Sequence, residues 1–171
     1  MLRGAGIVAL SVLLMACGES SAAQKASPSV APVQHTWNQD LTLAGDVNGH
    51  MTGIVADVGI QTSACTGAKP RPGQTWSNKF YGTVDASGTV WGIDFVIQNY
   101  AGPGTYDTRA VAVELHSTDE AQVWQNSAAS DKVVFTLDQS GQTGTIDALL
   151  TNADSGKAGA EHLTGTWNCK A

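Results

Sequence analysis

Along much of the chain, apolar and polar side chains alternate one by one. In Thr89–Gln98, Trp91, Ile93, Phe95 and Ile97 share one face, while Gly92, Asp94 and Gln98 share the other. In Arg109–His116, Val111, Val113 and Leu115 oppose Glu114 and His116. In Lys132–Asp138, Val133, Phe135 and Leu137 alternate with Lys132, Thr136 and Asp138. In Glu161–Cys169, Leu163, Gly165, Trp167 and Cys169 alternate with His162, Thr164, Thr166 and Asn168. Successive side chains of a strand point to opposite sides, so each stretch predicts a strand with one dry and one wet face, as in antiparallel sheets. From Trp37 onward no stretch keeps a helical period over three turns.

The breaks between these stretches are turn residues. Asn48-Gly49 predicts a tight type I′ hairpin between Leu41–Val47 and His50–Val58. Asp85–Gly88 links Lys79–Val84 to Thr89–Gln98, and Asp138–Gln142 links the Phe135 strand to Thr143–Leu150. Asn152–Gly159 reads as a longer polar loop before the last strand, and Asp119–Asn126 as a short helical turn with Val123 and Trp124 inward. About eight short strands predict an all-β domain, an antiparallel β-sandwich with a small β-barrel as the alternative. Trp91 and Trp167 fall on dry faces and belong to the core. Trp37 and Trp76 are candidates for a surface aromatic patch.

The pattern changes before Trp37. Residues 1–16 hold Arg3 and then an apolar run from Ala5 to Met15, which is a signal peptide and too short to span a bilayer. The run ends in Leu14-Met15-Ala16-Cys17, which resembles the lipobox of bacterial lipoproteins. The resemblance implies thioether lipidation of Cys17, further acylation such as palmitate, and cleavage after Ala16. Residues 17–36 then form a lipidated cysteine and a Ser/Ala/Pro-rich disordered tether spanning roughly 20–25 Å. Residues 37–171 form a single all-β domain.

Three cysteines become two once Cys17 carries lipid. An exported location permits oxidation, and each remaining thiol has one possible partner, so a Cys65–Cys169 disulfide is expected. It would close a loop of roughly 100 residues and stabilise the fold by about 4–5 kcal/mol at most.

Charged residues make up 14% of the chain, against roughly 25% in an average soluble domain. The net charge is −6, and removal of Arg3 with the leader makes it −7 (−6 less +1). No Lys/Arg run exists to neutralise phosphates, which argues against nucleic acid as a partner. No hydrolase elbow, zinc-protease motif, phosphate loop or dinucleotide fingerprint occurs. His116-Ser-Thr-Asp119-Glu120 can be imagined as a cluster of metal ligands, but scattered exposed histidines usually mean nothing more, and Asp119-Glu120, adjacent in a loop, carry no required geometry as a carboxylate pair, so neither metal nor cofactor is expected.

The most distinctive segment is Tyr100-Ala-Gly-Pro-Gly-Thr-Tyr106, followed by Arg109. It reads either as a rigid corner or as a binding loop. Trp76, Tyr100, Tyr106 and Arg109 are the candidate binding residues. The lipobox, the tether, the all-β domain and Gly165-Thr-Trp-Asn-Cys169 together are similar to small actinobacterial surface lipoprotein antigens, and that resemblance implies a surface-exposed, non-enzymatic protein. The expected role is a membrane-anchored extracytoplasmic binding or interaction module, held to a cell membrane or outer membrane. Its partner would be an envelope protein or an apolar small molecule. Two alternatives are a carrier of a lipid or other apolar ligand in a β-fold cavity, and a periplasmic hydrolase inhibitor.

Overall fold

A computed structural model describes residues 36–56, 65, 70–85, 88–154 and 157–170. The leader, Cys17 and the tether lie outside the described residues. The strands are β1 (Thr36–Gly45), β2 (Gly49–Ala56), β3 (Trp76–Thr83), β4 (Val90–Ile97) and β5 (Gly104–Asp107). They continue with β6 (Ala112–Ser117), β7 (Val123–Gln125), β8 (Lys132–Leu137), β9 (Thr143–Asn152) and β10 (Ala160–Lys170). The all-β, antiparallel class is as the alternation predicts and the disulfide as the cysteine count predicts, with ten strands rather than about eight and a single sheet close to the barrel that stood as the alternative to a sandwich. β5 and β7 are the additions, and four and three residues are too few to display a period of two. β7 also takes the place of the expected helical turn, with Trp124 inward. A three-residue segment paired to neighbours on both sides draws its stability from the ladder rather than from local propensity.

The strands form one sheet in the order β2-β1-β10-β9-β7-β6-β4-β3, nearly closed into a barrel. The sheet branches at β9. β8 pairs with its Gly144–Leu149 part and carries β5 beyond, while β7 pairs with Thr151 and Asn152. Where β2 and β3 face each other, side chains and a turn hold the seam. Gln39 Nε2 donates to the Tyr81 carbonyl at 2.9 Å, Tyr81 Oη donates to the Ala56 carbonyl at 3.2 Å, and Asp85 N donates to the His50 carbonyl at 2.8 Å. The first hairpin forms, but not through the expected type I′ turn: Asp46–Asn48 connect the strands, Gly49 already belongs to β2, and Asn48 does not take the positive φ that such a turn requires. The Asn48 side chain bonds both backbone groups of Gly45.

The barrel interior is packed with rings. Phe80, Phe95, Phe135 and Trp167 contact one another at centroid distances of 5.0–5.6 Å. Trp37 abuts Phe80 at 5.7 Å and Trp76 abuts Phe135 at 5.3 Å. Each aromatic pair adds about 0.5–1.5 kcal/mol beyond its burial. Gly144 lies opposite Trp167 in the ladder, and a Cβ there would sit 2.1 Å from the indole, so the glycine makes room for the ring. Trp37 and Trp76 are fully buried, so neither contributes to a surface patch. Both lie in phase with the inward residues of their strands, Leu41 and Phe80. The Cys65–Cys169 disulfide closes a separation of 104 residues with its Cα atoms 5.5 Å apart. It ties the last strand to the segment between β2 and β3.

Candidate functional site

At the disulfide end of the barrel, three turns meet around a cleft of about 270 Å³. Its walls are Pro70, Pro72, Tyr100 and Pro103, with Trp76 beneath and Gln139 to Gly141 along a polar edge. Proline fixes φ and has no amide hydrogen, so this loop needs its backbone bonds from elsewhere. They come from Tyr100: Gly73 N donates to its carbonyl at 2.8 Å, and its amide donates to the Gln74 carbonyl at 2.9 Å. The Gln74 side chain accepts from Arg71 N at 2.7 Å.

The 100–106 segment is braced from within. Tyr106 Oη accepts from the Ala101 amide at 3.1 Å and donates to the Gly102 carbonyl. The two tyrosine rings stack at 6.2 Å. Burial, and secondarily the neighbouring Tyr106, pushes the Tyr100 phenol above its usual pKa, so it stays a neutral surface. Across the cleft, burial raises the Asp138 carboxyl. Bonds from Ser140 Oγ and the Thr143, Gln142 and Gly141 amides outweigh that and hold it below the usual carboxylate range. The cleft is therefore pre-formed, apolar on its walls and polar on one rim, a common form of binding site.

The four candidate residues divide. Tyr100 forms a wall, Trp76 lies buried as the floor, and Tyr106 is the strut that shapes the corner. Arg109 is elsewhere: its side chain is 91% exposed, pairs with Asp107 at 3.0 Å, and borders a different cleft beside Gln98, Asn99 and Asn126. Both readings of the Tyr100–Tyr106 segment therefore have a structural counterpart, because the rigid corner is what makes the cleft wall.

A second concentration of polar side chains lies on the outer face of β3, β4 and β6. The register sets Lys79 opposite Asp94, and Asp94 opposite Glu114. Lys79 Nζ lies 3.0 Å from Asp94 Oδ2, and His116 Nε2 lies 3.2 Å from the same oxygen. His116 is buried although the alternation puts it on a wet face. The reason is Gly92, its ladder partner, which has no side chain to hold the ring off the sheet. Asp119, the sequence-adjacent acid, instead accepts from Ser117 Oγ at 2.6 Å and from Ala121 N at 3.2 Å, closing its own turn. The wet-face positions of Asp94 and Glu114 were visible in the sequence, but the pairing that unites them with Lys79 needed the strand order.

No family model, no curated protein and no solved structure matches this chain.

Proposed function

We propose that this chain is a lipid-anchored extracytoplasmic binding module, non-enzymatic, that presents the disulfide-end cleft to an extended apolar peptide segment of an envelope protein. The observation that carries this reading is the filled interior of the barrel. Trp37, Trp76, Phe80, Phe95, Phe135 and Trp167 are all 0–1% exposed and joined by ring-to-ring contacts. A carrier needs that volume for its ligand, so the filled core favours recognition at the surface over transport inside. A cleft walled by Pro70, Pro72, Tyr100 and Pro103 offers flat, rigid faces with little side-chain entropy to lose. Such faces suit an extended, proline- or aromatic-bearing segment, and the Gln139–Gly141 rim supplies polar contacts to its backbone. The anchor in this reading is the lipid implied on Cys17, with the tether giving the domain its reach.

The test is photo-cross-linking in the producing cell. A benzophenone side chain at Gln139, exposed on the cleft rim, is expected to capture an envelope protein in the membrane fraction. The same group at Thr145, exposed on β9, is expected to capture none. With Cys17→Ser added, the product is expected in the soluble fraction. Equal capture at both positions, or none at either, overturns the cleft reading. A Cys17→Ser chain that stays with the membrane overturns the anchor.

A further inference from the structure

We propose that Asp94, Glu114 and His116 form a site for a divalent transition ion of the Zn²⁺ class, which takes the place that the Lys79 ammonium holds between Asp94 and His116. This site is separate from the cleft at the disulfide end.

Asp94 of β4 and Glu114 of β6 are direct cross-strand partners on the outer face. Like charges in that relation destabilise a sheet. A local cost of this kind is expected at functional positions.

The imidazole is held for ligation. A Cβ on Gly92 would lie 2.4 Å from His116 Nε2, so only glycine lets the ring lie across β4 beside Asp94. His116 Nδ1 stands 3.0 Å from the Ser117 carbonyl. A carbonyl only accepts, so Nδ1 carries the hydrogen. Nε2 faces both Lys79 Nζ at 3.3 Å and Asp94 Oδ2 at 3.2 Å, so with the hydrogen on Nδ1 its lone pair is turned to the place of the cation. A backbone carbonyl on one nitrogen that leaves the other free to ligate is the usual support of a metal-binding histidine.

The spacing fits an ion. Asp94 Oδ2 and His116 Nε2 are 3.2 Å apart, with the Lys79 ammonium 3.0 Å and 3.3 Å from them. Two ligands with bonds of about 2.0–2.1 Å in a tetrahedral zinc site stand about 3.3 Å from each other. Ligand atoms of all three residues lie within 4.8 Å of one another, so the remaining closure belongs to the Glu114 side chain. Glu114 can rotate, because with Asp94 it lines an open cleft of about 320 Å³ whose far side holds Gln125, Asn126 and Ser127. That cleft leaves the fourth position to water or to a donor from outside. One imidazole and two carboxylates suit Zn²⁺ or Co²⁺ better than a thiol-seeking ion or an all-oxygen one.

The test is calorimetric titration of the full chain, in detergent and without a histidine tag, with ZnCl₂. One saturable site is expected, and Co²⁺ in its place is expected to show visible absorption. Glu114→Gln and His116→Gln should each weaken binding by at least roughly tenfold. Lys79→Met should strengthen it by roughly tenfold, because a positive charge no longer competes for the same acceptors. His162→Gln, which breaks the 2.8 Å His162–Asp147 contact on β10, should leave it unchanged. Thermal unfolding without metal shows whether each variant folds. If His116→Gln does not fold, Glu114→Gln and Lys79→Met decide. The proposal is overturned by the absence of a saturable site, by a site that survives Glu114→Gln, or by Lys79→Met failing to tighten it.

Discussion

At one end of the barrel, Tyr106 closes a corner with a hydroxyl that both accepts from and donates to backbone groups. At the other end, the β1–β2 loop is closed by Glu161, whose side chain is fully buried and accepts from the Val47 amide at 2.9 Å. Both devices satisfy turn backbone that the ladder leaves unpaired. They differ in what they cost. The tyrosine buries a hydroxyl that has a backbone partner in each direction. The Glu161 carboxyl has one oxygen without a hydrogen-bond partner and Asp46 nearby, and burial first, then that neighbour, push its pKa up to about 7. The Glu161 end should therefore be the one that responds to pH near neutrality.

The largest effect should come from the disulfide, which belongs to the tyrosine end. Replacing Cys65 and Cys169 together by serine is expected to lower stability by up to about 4–5 kcal/mol, read from denaturant midpoints in oxidising buffer. If the loss is below about 1 kcal/mol, the aromatic core alone holds this end, and the comparison must be drawn from packing instead.

Glu161 should come next, with a definite sign. Its folded pKa lies above its usual 4.5, so the folded state holds this proton more tightly than the unfolded chain does. The contribution is complete below about pH 4.5 and declines as pH rises through about 7, by an amount on the order of 3 kcal/mol. Asp107, Asp119 and Asp138 are held below the usual carboxylate range, so they act only toward acid, outside that window. Unfolding free energies at pH 5 and pH 8 should fall for the natural chain and stay level for Glu161→Gln. A natural chain with no such slope would place the Glu161 carboxyl in a far more polar setting.

Tyr106→Phe should have the smallest effect, about 1–2 kcal/mol, because it removes one hydroxyl from two backbone partners and keeps the stacked ring. The loss should be the same at pH 5 and pH 8. A loss that changed between them would mean that the tyrosine end also titrates.

Much of this contrast was legible and part of it was missed. Glu161 is in phase with Leu163 and Trp167, so the alternation itself puts a carboxyl on a dry face. What the alternation could not supply was its partner, the Val47 amide, which lies 114 residues away. The tyrosine corner was visible as a rigid turn from its glycines and proline. That Trp76 would lie beneath it rather than outside was not, since Trp76 follows a proline-rich loop and begins β3 at the point where burial starts. His116 was misplaced for a related reason. The alternation assigns a face to each residue but does not reveal that the neighbouring strand offers a glycine there.

The sequence by itself determined the strands longer than about five residues, their dry faces, the first hairpin and the pairing of the two domain cysteines. Those follow from local periodicity, turn chemistry and elimination, which need no knowledge of neighbours. Only the tertiary structure decided the closure of the sheet, the branch at β9, the short strands β5 and β7, and the meeting of Lys79, Asp94, Glu114 and His116. Each of these depends on which strands lie side by side and in what register. Register is set by cross-strand packing between segments far apart in the chain, and a period of two within one strand carries no record of it.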